Sequence, residues 1–430
     1  MKVYIHTLGC KVNQYESQGI AELFASRGAE VAASPEEADV IIVNSCTVTA
    51  ESDRKTRQSV RHLRGANPDA VIILAGCMAE AFPQKAAETE GADIIIGNKD
   101  YGRIFDTYEE YLAGGGGKLL KIEQHEKGDA FSTPPVTGFN ERTRAYIKIE
   151  DGCDRFCTYC VIPHARGRVR SRSVDDIKTE AEALGRAGYK EIVLVGINLT
   201  AYGTDIGATL FDAVNAVSSA NGIERIRFGS MEPDQIDDET LLLLSKCEKF
   251  CPQFHLSLQS GCDKTLKRMN RKYDTSFYLD LVERIRAMFV NPSITTDIMV
   301  GFAGESEDDF NESAAFAEKV GFARMHIFAY SRRQGTAAYS YPDQVTNAEK
   351  ARRSSIMAKT AAKLTKSFCE SQVGFMAKVL FESEQDGICR GYTENYTEVS
   401  VKSTEHLHGE IRDVLITGAS ADGCIGILCD

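Results

Sequence analysis

The sequence predicts an α/β protein in three parts: an open parallel-sheet domain, a partial barrel of six β/α units, and a small antiparallel β-barrel. Three observations carry this reading. Over the first 112 residues, unbroken β-branched runs alternate with helical patterns. Such runs belong to strands buried on both faces, hence to a parallel sheet. From residue 143 the alternation restarts and repeats six times, about three-quarters of a full eight-unit barrel. The last sixty residues are β-rich, with Gly and Asp between the runs, the pattern of a small barrel or sandwich.

The elements follow in order. Val3–Ile5, Asp39–Val43, Ala70–Leu74 and Asp93–Ile96 are the strand runs of residues 1–112, with helices over Tyr15–Arg27 and Ser52–Leu63. Residues 113–142, with Gly114–Gly117 and Thr133-Pro-Pro135, read as a linker. In residues 143–370 the strands are Ala145–Ile149, Glu191–Val195, Arg225–Phe228, Phe254–Leu258, Ile294–Val300 and Met325–Ala329. The helices between them are Val174–Ala187, Leu210–Ala220, Glu239–Glu248, Ser276–Phe289 and Glu307–Lys319, and a long helix from Asn347 to Cys369 closes the set. Residues 371–430 give four strands: Phe375–Leu380, Tyr396–Val401, Glu410–Thr417 and Ile425–Leu428.

A chain of 430 residues is too long for one core. Its net charge of −12 argues mildly against a general nucleic-acid coat protein, although local basic patches still permit RNA binding. The two patches are Arg166–Arg172 and Lys264–Lys272. No stretch approaches the 18 apolar residues of a membrane span, and Met1–Gly9 reads as a strand rather than a signal peptide. A cytoplasmic location is expected. There, 13 cysteines read as metal ligands or buried thiols, not as a disulfide framework.

The cysteines carry the chemistry. Cys153, Cys157 and Cys160 have C-x-x-x-C-x-x-C spacing just after the first barrel strand, which puts them on the barrel's active face. Three thiolates on a 4Fe–4S cube leave one iron open, a place for S-adenosylmethionine to chelate and be cleaved to a radical. A zinc site completed by His164 is the alternative at this spacing. Cys10, Cys46 and Cys77 form a second set of three. Each follows a strand run, and in an open parallel sheet the carboxyl ends share one edge. Gly9 and Gly76 allow tight turns before two of them. Cys247, Cys251, Cys262, Cys369, Cys389, Cys424 and Cys429 read as thiols without a cofactor role.

The Cys153–Cys160 segment resembles the radical S-adenosylmethionine signature, and the whole chain is similar to the methylthiotransferase family. Gly9–Glu16, Asp151–Cys160, Gly229–Pro233, His326–Ser331 and Gly391–Tyr396 resemble the branch that modifies threonylcarbamoyladenosine in tRNA. The family's other branches modify isopentenyladenosine in tRNA or an aspartate of a ribosomal protein. Two family prolines are missing, in Gly301–Glu305 and Gly335–Ala338. The resemblance implies that Cys10, Cys46 and Cys77 hold an auxiliary 4Fe–4S cluster that carries sulfur. It implies that Cys153, Cys157 and Cys160 hold the cluster that cleaves S-adenosylmethionine, and that the tail is an RNA-gripping TRAM domain. The substrate would be adenosine 37 in the tRNA anticodon stem-loop, methylthiolated at C2. A flavodoxin- or ferredoxin-type electron donor and a sulfur source would be partners.

Position after each strand marks the cofactor contacts: Tyr159 beside the adenine, then Gly196, Asn198, Ser257, Gln259, Asp297, Gly301 and Phe328. Glu232 is the expected acceptor for the threonylcarbamoyl group. Arg168, Arg170, Lys267, Arg268 and Arg271 are expected on RNA phosphates, with Tyr396 and Tyr392 offering stacking faces.

Overall fold

The computed structural model describes residues 1–99, 101–134, 136–139 and 142–429. Pro135 and Asp430, within segments read above as linker and tail, lie outside the described residues.

The N-terminal sheet has six parallel strands in the order Glu30–Val31, Lys2–Thr7, Val40–Ser45, Val71–Gly76, Ile94–Ile96 and Leu119–Lys121. Alternate residues of one strand enter different cores. Val40 and Ile42 pack on one face with Phe24 and Phe105, while Ile41 and Val43 pack on the other with Val60 and Leu63. That two-sided burial is why the runs show no polar alternation. Two strands are additions to the sequence reading. Leu119–Lys121 falls in the segment expected to be a linker and pairs with Ile94–Ile96. It is a mostly exposed edge strand, so it carries no hydrophobic run to announce it. Glu30–Val31, at the other edge, is exposed at both residues.

The central part has six parallel strands in chain order: Arg144–Lys148, Glu191–Val195, Arg225–Phe228, Gln253–Leu256, Ser293–Val300 and Arg324–Ala329. The third is interrupted at Gly229, whose N–H donates to Leu194 O at 2.8 Å, and resumes as Ser230–Met231 against His255 and Leu256. The sheet is an open barrel, filled by one large core that includes Ile147, Leu194, Phe228, Phe254 and Ile298. Helix Asn347–Ser371 packs along the last strand.

The C-terminal barrel is closed by five strands: Met376–Gln385, Ile388–Thr393, Glu398–Lys402, Ile411–Ala419 and Cys424–Leu428. The four-strand reading missed Ile388–Thr393. Its signal was the turn Asp386-Gly387, both at positive φ, the two-residue hairpin connection. Four pairings are antiparallel, and Glu398–Lys402 runs parallel to Cys424–Leu428. This barrel sits on the amino ends of the central strands. Arg225 donates to Tyr392 O and Lys378 O, and Arg227 to Glu394 O.

Candidate functional site

Cys10, Cys46 and Cys77 follow the carboxyl ends of three adjacent parallel strands. Side chains pin the loops together. Asn13 Nδ2 donates to Leu8 O and Ser45 O, Asn44 Nδ2 donates to Asn13 O, and the Met78 N–H donates to Ser45 Oγ. The glycines are required by space. A Cβ on Gly9 would lie 2.8 Å from Cys46 Cβ, and one on Gly76 (φ +100°) would lie 2.7 Å from Ser45 O. Burial pushes the Cys77 thiol up to about 12, with the Arg166 charge opposing, and also raises Cys46. Iron binding there must displace protons.

The second triplet sits in a loop clamped by its surroundings. Cys153 N–H donates to Gly167 O, Thr158 N–H to Met269 O, and Thr158 Oγ1 to Arg268 O. Asn270 Nδ2 donates to Phe156 O at 3.1 Å. A Cβ on Gly152 would collide with the Arg168 carbonyl. Burial pushes Cys160 up to about 12 and Cys153 higher still, with the neighbouring cysteines adding to both.

Each triplet has one buried arginine donating to a sulfur. Arg166 Nε lies 3.2 Å from Cys77 Sγ, and Arg271 Nη1 lies 3.3 Å from Cys157 Sγ. Arg166 comes from the helix Ile162–Arg166, just after Cys160, yet reaches the other triplet. It also binds Glu16, Asn13 and Asp151. Lys148 Nζ completes the seam, at 2.7 Å from Glu16 and 2.6 Å from Asp151. Sequence reasoning missed Lys148 and Glu16 as partners. A lysine inside the apolar strand Arg144–Lys148 was the available signal.

The donor sets fit clusters rather than single ions. In a tetrahedral zinc site with Zn–S near 2.3 Å, sulfurs stand roughly 3.8 Å apart. Among the described residues, the one His/Cys/Asp/Glu set with all ligand atoms within 4.8 Å is His255, Asp297 and His326. Both cysteine triplets are wider. His164, the alternative zinc ligand, is exposed and packs edge-on against Phe156.

S-adenosylmethionine also finds a fitting place. Glu150 is fully buried; Oε2 accepts from Asn198 N–H at 2.7 Å while Oε1 has no partner. Burial raises its carboxyl well above the usual range. A Cβ on Gly196 would lie 2.7 Å from Glu150 Oε2. Oε1 is a buried polar atom left for a bound group to satisfy. Tyr159 packs edge-on to Phe302, and Phe328 is half-exposed. Ser257 O accepts from Arg271 Nη2 at 2.9 Å, and Gln259, at positive φ, bridges to Asp297 through its backbone. Gly301 differs from expectation. Its Cα faces the Lys350 side chain, with which any Cβ would collide, so no open cleft lies over it.

The expected RNA contacts divide. Arg168 is exposed over the Phe156 ring, paired with Asp154 at 3.0 Å. Lys267 is exposed and Arg268 half-buried. Three expectations are corrected. Arg170 is buried and donates to Arg166 O and Arg168 O, so it stiffens the loop instead of facing solvent. Arg271 is buried on Cys157 and on Glu232 Oε2, 2.5 Å away. Tyr396 stacks on Tyr392 at 4.6 Å and lies beneath Arg144 and Arg227, so its faces are taken. Glu232, expected to meet the substrate, pairs through one oxygen with Arg271.

Residues 2–97 match the family described as Uncharacterized protein family UPF0004, and residues 147–317 match the Radical SAM superfamily. The Threonylcarbamoyladenosine tRNA methylthiotransferase MtaB of Bacillus subtilis is 36% identical, covering 97% of this chain and 94% of the relative. The Thermotoga maritima protein of the same name is 36% identical over 100% of this chain and 97% of its own. The chain belongs to the radical S-adenosylmethionine methylthiotransferases. As one of these transferases it uses S-adenosylmethionine and two 4Fe–4S clusters. A tRNA-2-methylthio-N(6)-dimethylallyladenosine synthase of Thermotoga petrophila is 33% identical over 99% of the methylthiotransferase and 96% of that relative. The fold is shared with the radical S-adenosylmethionine methyltransferase TsrM of Kitasatospora setae, at a TM-score of 0.56 and 13% identity over 89% of this chain and 79% of that one. No described helix is long and apolar enough to cross a membrane.

Proposed function

We propose that this methylthiotransferase inserts a methylthio group at C2 of N6-threonylcarbamoyladenosine 37 in tRNA. The observation that carries the reading is Arg166. It leaves the loop of one cysteine triplet and donates to a sulfur of the other, so both lie along one buried seam. In this reading Cys153, Cys157 and Cys160 hold the cluster that cleaves S-adenosylmethionine, and Cys10, Cys46 and Cys77 hold the one that carries sulfur. When bound, the cofactors supply radical chemistry and the sulfur to be methylated and transferred.

The chain's own groups bind and orient. Glu150 offers Oε1 to the cofactor amino group, while the Asn198 N–H holds the opposite carboxylate oxygen and Gly196 leaves room for it. Tyr159 and Phe328 supply apolar faces. Ser257 and Gln259 line the strand ends, and Arg271 fixes Glu232 beside Cys157, excluding water from that side. Arg168 and Lys267 remain as exposed cations for the phosphates of the stem-loop, whereas Arg268, also expected there, has Nε and Nη2 buried. Residues 1–112 serve the auxiliary cluster, 143–370 the barrel and 371–430 the RNA grip, with 113–142 joining the first two. The setting is the cytoplasm, with a flavodoxin- or ferredoxin-type electron donor and a separate sulfur source.

The test is nucleoside mass spectrometry of tRNA from a deletion strain. The expected result is loss of 2-methylthio-threonylcarbamoyladenosine with retention of the unmethylthiolated nucleoside, restored by the gene. An unchanged profile sinks the proposal.

A further inference from the structure

Below the strand ends that face the cysteines, the open barrel contains a cavity of about 350 Å³, within the range of small-molecule sites. Its wall includes Ser230, His255, Asp297, Arg324 and His326, and Lys11 closes it from the N-terminal domain. Lys11 directly follows Cys10, so the cavity begins beside the expected sulfur carrier. On the barrel side, Ser230 and His255 are register partners on neighbouring strands, two residues before Glu232 and Ser257, which follow the strand ends and meet Arg271.

The charges are unbalanced. Arg144 and Arg227 also line the cavity, but Glu382 and Glu191 hold them. Asp297, the carboxylate of the lining, lies 3.4 Å from His255 Nε2. Among the described residues, the side chains of Lys11, exposed, and Arg324, half-buried, make no hydrogen bond and no ion pair. His255, Asp297 and His326 are close enough together to hold a cation. Two unpaired positive side chains in the same cavity oppose that and favour an anion.

Resting on the proposed function, we infer that this cavity is the subsite for the threonylcarbamoyl group, with Lys11 and Arg324 binding its carboxylate. Ser230 and the His255–Asp297 pair lie within the same lining for the hydroxyl and carbamoyl groups. A dimethylallyl group has no polar atom to offer. It would leave the half-buried Arg324 without a partner, and sites built for polar groups reject such analogues strongly. This moves recognition from Glu232, whose negative charge would repel a carboxylate, to the strands beneath it.

The test uses reconstituted holoenzyme and three anticodon stem-loop RNAs, carrying threonylcarbamoyladenosine, dimethylallyladenosine or adenosine at position 37. Binding and single-turnover methylthiolation are measured for wild type, Lys11→Gln, Arg324→Gln and Arg324→Lys. Each Gln variant should weaken binding of the threonylcarbamoyl RNA roughly ten- to a hundredfold, the value of a charge-assisted hydrogen bond. Binding of adenosine RNA and of S-adenosylmethionine should not change, and Arg324→Lys should recover part of the loss. An equal loss on all three RNAs assigns the charges to phosphates and overturns the inference. Weaker S-adenosylmethionine binding assigns them to that carboxylate and overturns it too, as does unchanged affinity for every ligand. Wild-type enzyme that leaves threonylcarbamoyl RNA unmodified overturns the proposed function instead.

Discussion

Arg271 shows how much one side chain holds at this site. It donates to Cys157, Glu232, Tyr273 and the Ser257 carbonyl from a buried position. Arg271→Gln should cost about 3 kcal/mol, because it strands the Glu232 carboxylate, and thermal melting measures this. The same variant should shift the reduction potential of the Cys157 cluster negative, since donors to ligand sulfurs raise it; a spectroelectrochemical titration checks the sign. A second residue-scale prediction concerns acid. Asn98 links two buried groups, donating its N–H to Glu80 and accepting from His125 at 2.8 Å. Burial, then the Arg170 charge, holds His125 at about 4 instead of 6.5. Its contribution is present above 6.5 and is lost as pH falls toward 4. Burial raises Glu80 from 4.5 to about 7, so its contribution is present below 4.5 and lost as pH rises through 7. The two slopes oppose in between. Glu80→Gln should make the melting temperature drop more steeply on acidification, and His125→Asn should make it rise; melts across that window decide.

At the scale of elements, the strand-to-cysteine turns were legible in the sequence because buried β-branched runs end visibly at Val43 and Leu74. The glycine requirement follows from the same turns. Gly76→Ala forces a Cβ against Ser45 O at a positive φ, so the Cys46 and Cys77 loops must part. Reconstituted enzyme should fall from about eight irons to about four, measured by iron assay, with the Cys153–Cys160 cluster retained. Other elements were hidden for physical reasons. Leu119–Lys121 and Glu30–Val31 lie at the sheet's edges and bury little, so they have no apolar period. The basic runs read as RNA contacts throughout because a single sequence does not show which arginines find buried partners. Arg166, Arg170 and Arg271 do, while Arg168 and Lys267 stay outside. The two cysteine triplets were readable from spacing and strand position, but the two arginines on their sulfurs required the fold.

For the whole molecule, the seam between the N-terminal domain and the barrel is built from charge. Glu16, Lys148, Asp151 and Arg166 are all buried, and each satisfies the others. Glu16→Gln leaves Lys148 and Arg166 with Asp151 as their one shared counter-ion. Loss of one member of a buried pair costs about 3–5 kcal/mol, so the melting temperature should drop clearly, and limited proteolysis should begin to cut between residues 113 and 142.

That seam also decides what travels during a reaction. Opening it would part Glu16 from Lys148 and Arg166 and break several buried, charge-assisted hydrogen bonds at once, each worth about 1.5–3 kcal/mol. The seam therefore holds the two cysteine triplets at a set separation instead of leaving the domains free to swing. In the proposed function the motion is left to the nucleic acid: a nucleotide beside the anticodon has to leave its stack and enter a stationary gap, and selectivity begins with which loops can release that base.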